Sequence, residues 1–164
     1  MLSKNMLDKL NAQLNLEFFS SNIYLQMSAW CDSQGLAGCA GFLYKQAKEE
    51  LDHMDRIFKY ILERGSMALV GKIDAPPIKY TSVEEIFKKA YKHECLVTSK
   101  IHELNELALK EKDYATQNFL QWFIAEQHED ETQVQAILDK IKLIGADRLY
   151  LIDNELNRMA VVRE

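Results

Sequence analysis

Long apolar stripes at steps of three and four residues dominate this chain. In 37–64 the stripe runs Leu43, Ala47, Glu50, Met54, Ile57 and Ile61. That period puts one oily face on a helix. A first run, about 4–32, carries Leu10, Leu14, Glu17, Tyr24 and Met27. "DSQGLAG" breaks it. A third run opens at "SVEE", where Ser82 and Glu85 form a capping box. It continues to about 110 through Val83, Phe87, Ala90, Glu94, Val97, Ile101 and Leu104. A fourth follows Asp113, a natural N-cap. It reaches Gly145 with Phe119, Phe123, Glu126, Asp130, Val134, Ile137 and Ile141 on one face. A short fifth helix, about 147–160, has Leu149, Ile152, Leu156 and Met159 on one side. Gly65 is placed to end the second helix as a left-handed cap.

Only "LVGKI" resembles a strand, and it is short. Six Gly and two Pro in 164 residues leave the helices uninterrupted. The expected class is all-α, one domain over 1–164, with four long helices in a bundle. The first and second helices are joined by a few residues, as are the third and fourth. Each pair should be antiparallel. The 17-residue linker "GSMALVGKIDAPPIKYT" separates the pairs. Extended, it reaches about 55 Å at ~3.3 Å per residue. A helix here is roughly 40 Å long at ~1.5 Å per residue. The linker can therefore cross the whole bundle and set the second and third helices parallel. The fifth helix needs a partner for its apolar side, because four helices already close a bundle.

Charge and cysteine usage narrow the function. The formal charge is −5 with both signs mixed, which suits neither nucleic acid nor a membrane surface. No stretch approaches membrane-spanning length. The N-terminal "MLSKNMLDKL" has no signal-peptide pattern. Cys31, Cys39 and Cys95 are odd in number and lack metal-ligand spacing. They read as reduced thiols in a cytoplasm.

The stripes contain residues that do not belong in a core. Glu17, Glu50, Glu94 and Glu126 each sit near the middle of a long helix. In such a bundle the midpoints meet at one level. A buried carboxylate without a partner is strongly disfavoured. Four together would be protonated, paired with cations, or bound to metal. Lys48, Arg56 and Lys100 fall on other faces. Protonation at four sites would waste the acids. Metal fits best. His53 follows Glu50 at i+3, so "ELDH" offers carboxylate and imidazole on one face a turn apart. This donor set suits iron or manganese, with zinc as competitor, and helical bundles build carboxylate di-iron sites from such pairs.

"NLEFFSSNIYLQMSAWC", "KEELDH", "YKHE" and "FLQWFIAEQHEDE" together resemble the bacterial non-haem ferritins, in order and over the whole length. The resemblance implies a ferroxidase centre within each bundle. By position, Glu17, Glu50 and His53 match a first iron site, with Glu50 bridging. Glu94 and Glu50 match a second. Gln127 matches a glutamine that orients water. Glu126, Glu49, Glu129 and Asp130 match a third iron site. The family pattern has Glu at the last of these, and Asp130 is one methylene shorter. Tyr24, two turns beyond Glu17, matches a tyrosine that supplies an electron or hydrogen-bonds a ligand. From the residues alone it is equally a buried Tyr with a satisfied hydroxyl. Trp122 matches a nearby aromatic, with core packing the simpler account. Haem-binding relatives carry Met after the bridging Glu and Glu-x-x-His in the fourth helix. Here Leu51 and Glu129 stand at those places, so no haem is expected.

The resemblance further implies iron storage and detoxification. Fe2+ and O2 are substrates, and the ferric product mineralises inside a hollow homo-oligomeric shell of twenty-four subunits. A discrete di-iron redox enzyme on the same bundle is the alternative. No Cys-rich electron-transfer domain or CxxC supports it. A metal-free helical interaction bundle is a third reading, opposed by the buried acids.

Overall fold

A computed structural model describes residues 1–145 and 148–161. All five helices are present and, among the described residues, there is no strand. They are α1 (Lys4–Ser33), α2 (Ala37–Glu63), α3 (Val83–Glu111), α4 (Tyr114–Ile144) and α5 (Leu149–Val161). The expected start of α5 at residue 147 lies outside the described residues. No described helix is long and apolar enough to cross a membrane.

Local chemistry accounts for the helix ends. The Ser3 hydroxyl accepts from the Met6 N–H at 3.0 Å and starts α1. The Ser82 hydroxyl accepts from the Glu85 N–H at 3.1 Å. The return half of the capping box is displaced by one residue: Glu85 accepts from the Thr81 N–H at 2.6 Å. Asp113 caps α4 through the Thr116 N–H at 3.2 Å. Gly65, at φ +71°, ends α2. Its N–H reaches the Leu62 carbonyl, and the Ser66 N–H reaches that of Ile61. That left-handed conformation is easy only for glycine.

The crossover between α2 and α3 runs along α1 and is tied to it by two asparagines. Asn11 Oδ1 accepts from the Leu69 N–H at 2.8 Å. Asn15 Oδ1 accepts from the Gly71 N–H at 2.7 Å, while its amide donates to the Leu69 carbonyl at 2.9 Å. At the far end Tyr80 meets Trp30 edge-on, with ring centroids 6.0 Å apart. The loop therefore travels toward the C-terminal end of α1, and α3 begins beside the start of α2. Phe87 on α3 touches Phe42 on α2.

The core is two apolar clusters. One gathers Met6, Leu10, Leu14, Ile57, Ile61, Val97, Ile101, Leu104, Leu120 and Phe123. The other gathers Tyr24, Met27, Leu43, Ala47, Phe87, Ala90, Val134, Ile137 and Ile141. Between them, at one level on every long helix, lie buried polar groups: Glu17, Glu50, His53, Glu94 and Gln127.

One expectation needs correction, and another is met within the chain. Gln127, and not Glu126, holds the core position of α4: Gln127 is 1 % exposed, while Glu126 is half-buried. Helical phase explains it. The buried residues step Leu120, Phe123, Gln127, Val134, and Glu126 lies about 100° off that line at ~3.6 residues per turn. The fifth helix also finds its partner within the chain. Ile152 and Leu156 are buried in the same cluster as Leu43 and Ile137, and Asp153 Oδ1 accepts from the Cys39 N–H at 2.8 Å. The approach is close enough that a Cβ on Gly38 would lie 1.8 Å from the Asp153 carbonyl oxygen.

Candidate metal centre

The packing of α1 against α2 leaves a small group of buried donors close together. Glu17 on α1 and Glu50 and His53 on α2 each offer one ligand atom, and these atoms lie within 4.8 Å of one another. All three side chains are buried. Glu50 Oε2 stands 3.4 Å from His53 Nδ1, reflecting their i,i+3 spacing on one helix face. Glu17 Oε2, Glu50 Oε2 and His53 Nδ1 are buried without a hydrogen-bond partner. Such atoms are rare because each gives up hydration without compensation. Three of them converging form a group that could hold a metal ion. The His53 ring is held edge-on by Trp122 and Phe123, at centroid distances of 5.4 and 5.9 Å.

Glu94 on α3 is differently placed. Both its oxygens are engaged. The Tyr24 hydroxyl donates to Oε1, and Gln127 Nε2 donates to Oε2 at 3.1 Å. The Gln127 amide also reaches the Thr98 hydroxyl at 3.4 Å, and that hydroxyl donates to Glu131 at 2.5 Å. This chain of bonds turns the nitrogen of Gln127 toward α3.

Electrostatics agree with a cation-seeking site. Burial, then the neighbouring Glu50 carboxylate, hold the Glu17 carboxyl well above the ordinary range. Burial, then Glu94 and Asp130, do the same to Glu50. Burial also raises Glu94, against the opposing hydrogen bonds from Tyr24 and Gln127. Tyr24 is raised by burial and by Glu94. The lysines and arginine excluded from the core by sequence are exposed: Lys48, Arg56 and Lys100. Arg56 lies over the Trp122 ring at 3.9 Å.

Beside the buried group lies an acidic surface pocket of about 180 Å3, lined by Glu49, Asp52, Glu126, Glu129 and Asp130. His53 and Trp122 also line it, so the histidine is a shared wall between pocket and interior. Burial and the carboxylates of Glu94, Glu49 and Glu126 push Asp130 up to about 8. The structure thus separates the sequence candidates into two groups. Glu17, Glu50, His53, Glu94, Gln127 and Tyr24 are interior, and Glu49, Glu126, Glu129 and Asp130 surround the pocket. Other polar groups near the centre escaped the sequence reading. Gln13 is 2 % exposed and donates to Glu17 Oε1 at 2.7 Å. The Ser20 hydroxyl contacts His93 Nε2 at 2.7 Å, where burial lowers the imidazole to about 4. Gln13 had a readable signal, a polar residue four positions before Glu17 on the buried side of α1.

Residues 7–144 match the family of ferritin-like domains. The chain belongs to the ferritin family. A Haemophilus influenzae relative, a probable bacterial non-heme ferritin-like protein, is 50 % identical over 162 residues and 98 % of each chain. The bacterial non-heme ferritin of Escherichia coli O6:H1 is 45 % identical over 161 residues, 97 % of this chain and 98 % of its own. Among solved structures, the open pore ferritin of the archaeon Archaeoglobus fulgidus superposes with a TM-score of 0.94. It is 40 % identical, covering 99 % of this chain and 98 % of that one. A humanized archaeal ferritin gives a TM-score of 0.95, also at 40 % identity, over 100 % and 98 % of the two chains. This ferritin therefore shares with its relatives both sequence and helix arrangement over nearly its full length.

Proposed function

We propose that this ferritin stores and detoxifies iron in the cytoplasm, oxidising Fe2+ with O2 at a di-iron centre inside each subunit. The observation that carries the reading is the convergence of three buried, unpartnered donors from Glu17, Glu50 and His53. Those residues hold the first iron. Glu50 bridges to a second iron shared with Glu94. Gln127 orients water, and Tyr24 hydrogen-bonds the ligand Glu94. Glu49, Glu126, Glu129 and Asp130 form a third, more solvated site through which iron passes.

Two Fe2+ ions side by side deliver two electrons to O2 together. Each iron becomes Fe3+, and O2 leaves at the level of peroxide after taking up two protons. Carboxylates favour the product, because hard anionic oxygens bind the harder, more highly charged ion. Since the second and third sites lack nitrogen ligands, Fe3+ is exchangeable there. It moves on to mineralise as a ferric oxyhydroxide in the cavity of a homo-oligomeric shell, twenty-four subunits by family resemblance. No haem is required by this chemistry.

The test is aerobic loading with excess Fe2+, followed by iron per native particle after size exclusion. Hundreds of irons co-eluting with a large assembly are expected. About two irons per chain on a small oligomer, the capacity of one di-iron site, would instead mean a discrete redox enzyme.

A further inference from the structure

Gln13 stands between solvent and the buried centre. On one side it lines a groove of about 350 Å3 between α1 and α3, together with Ala12, Leu16, Leu96 and Leu104. On the other its amide donates to Glu17 Oε1 at 2.7 Å. The residue is 2 % exposed. A buried amide is retained at a cost unless it makes a hydrogen bond, and here that bond goes to a candidate ligand.

The consequence concerns the two oxygens of Glu17. Oε1 is held by Gln13, while Oε2 has no partner. The carboxylate is thereby fixed with one oxygen occupied and one presented. Its spacing is set by the helix: positions i and i+4 are neighbours on one face. We propose that Gln13 is a positioning residue that orients Glu17 for metal, making it a one-oxygen ligand. This rests on the di-iron reading of the centre. Outer residues that orient metal ligands in this way typically govern affinity by about 10–100-fold.

The experiment uses the whole assembled protein and anaerobic Co2+, which binds without oxidation and reports its ligands in its visible spectrum. Gln13→Met keeps the bulk and deletes the donor. The expected result is about tenfold weaker Co2+ binding and an altered visible spectrum, with the number of ions per chain unchanged. Gln13→Asn keeps an amide but shortens its reach, and should show the same loss. Lys100→Ala, on the exposed rim of the groove, should bind as wild type. A merely structural role would lower the melting temperature of the metal-free variant and leave the spectrum alone. A wild-type isotherm and spectrum in whichever Gln13 variant folds overturns the proposal. If instead wild-type protein binds no Co2+ in a manner sensitive to Glu50→Ala, the metal-centre reading itself fails.

Discussion

At Glu17, Glu50 and His53, three donors sit within 4.8 Å of one another, sealed between two apolar clusters. On the other side of the same histidine, five acids line an open pocket of about 180 Å3. The pocket has more acids, yet the donors left without hydrogen-bond partners are in the interior. Water satisfies exposed carboxylates and screens them from one another. In the interior a partnerless oxygen keeps the full cost of its lost hydration. On the di-iron reading, the exposed acids would attract cations from a distance and the buried, partnerless donors would hold them.

This contrast predicts unequal responses to substitution. The largest effect belongs to the interior. Glu50→Ala or His53→Ala should abolish fast Fe2+ oxidation, a loss beyond the roughly 10–100-fold typical of changes one shell further out. Assembly should remain intact by size exclusion. Wild-type rates in stopped-flow oxidation would remove these residues from the centre.

A core change away from the belt should do the reverse. Ile101→Ala, in the cluster next to the centre, should cost about 2–5 kcal/mol of stability through lost contacts and a cavity. Denaturant unfolding would read that loss, while oxidation per folded subunit stays near wild type.

A third effect is a pH dependence peculiar to the metal-free protein. Glu17, Glu50, Glu94 and Asp130 all have raised carboxyls in the folded state. The folded form thus holds protons that the unfolded form has released. The associated stability is complete below the ordinary carboxylate range and is lost as pH rises toward the folded values, which for Asp130 is about 8. Metal-free protein should melt progressively lower between pH 5 and 8, each kcal/mol appearing as roughly 2–4 °C. A divalent metal should cancel the slope. A flat profile without metal would mean that the buried acids are compensated by other means.

The smallest effect is expected at the pocket's exposed edge. Glu129→Gln should change the initial oxidation rate by less than about fivefold, since an exposed charge is worth at most ~1 kcal/mol. A loss as large as that of Glu50→Ala would make the pocket, and not the interior, the seat of oxidation.

The legibility of the chain varied with how well apolar residues marked the helix phase. In α3, Val83, Phe87, Ala90, Val97 and Ile101 surround Glu94 on both sides, and all are buried. There the stripe placed the acid correctly. In α4 the stretch from Glu126 to Gln133 has no apolar residue. Nothing in it distinguishes residue 126 from residue 127, and the core position went to the glutamine. Caps were readable because Ser82, Asp113 and Gly65 act within a few residues of themselves. The docking of α5 was not, because it depends on a bare backbone at Gly38 meeting Asp153 across more than a hundred residues.

By itself, the sequence determined the number of long helices, the level at which acids interrupt them, and the need for a linker that spans the bundle. These follow from periodicity and chain length, which are local or additive quantities. The tertiary structure alone decided which donors are left without partners. Tyr24 on α1 and Gln127 on α4 occupy both oxygens of Glu94 on α3. Glu50 and His53 retain an unpartnered donor each. Hydrogen bonds between helices depend on packing at the scale of an ångström, and no spacing along a chain encodes that distance.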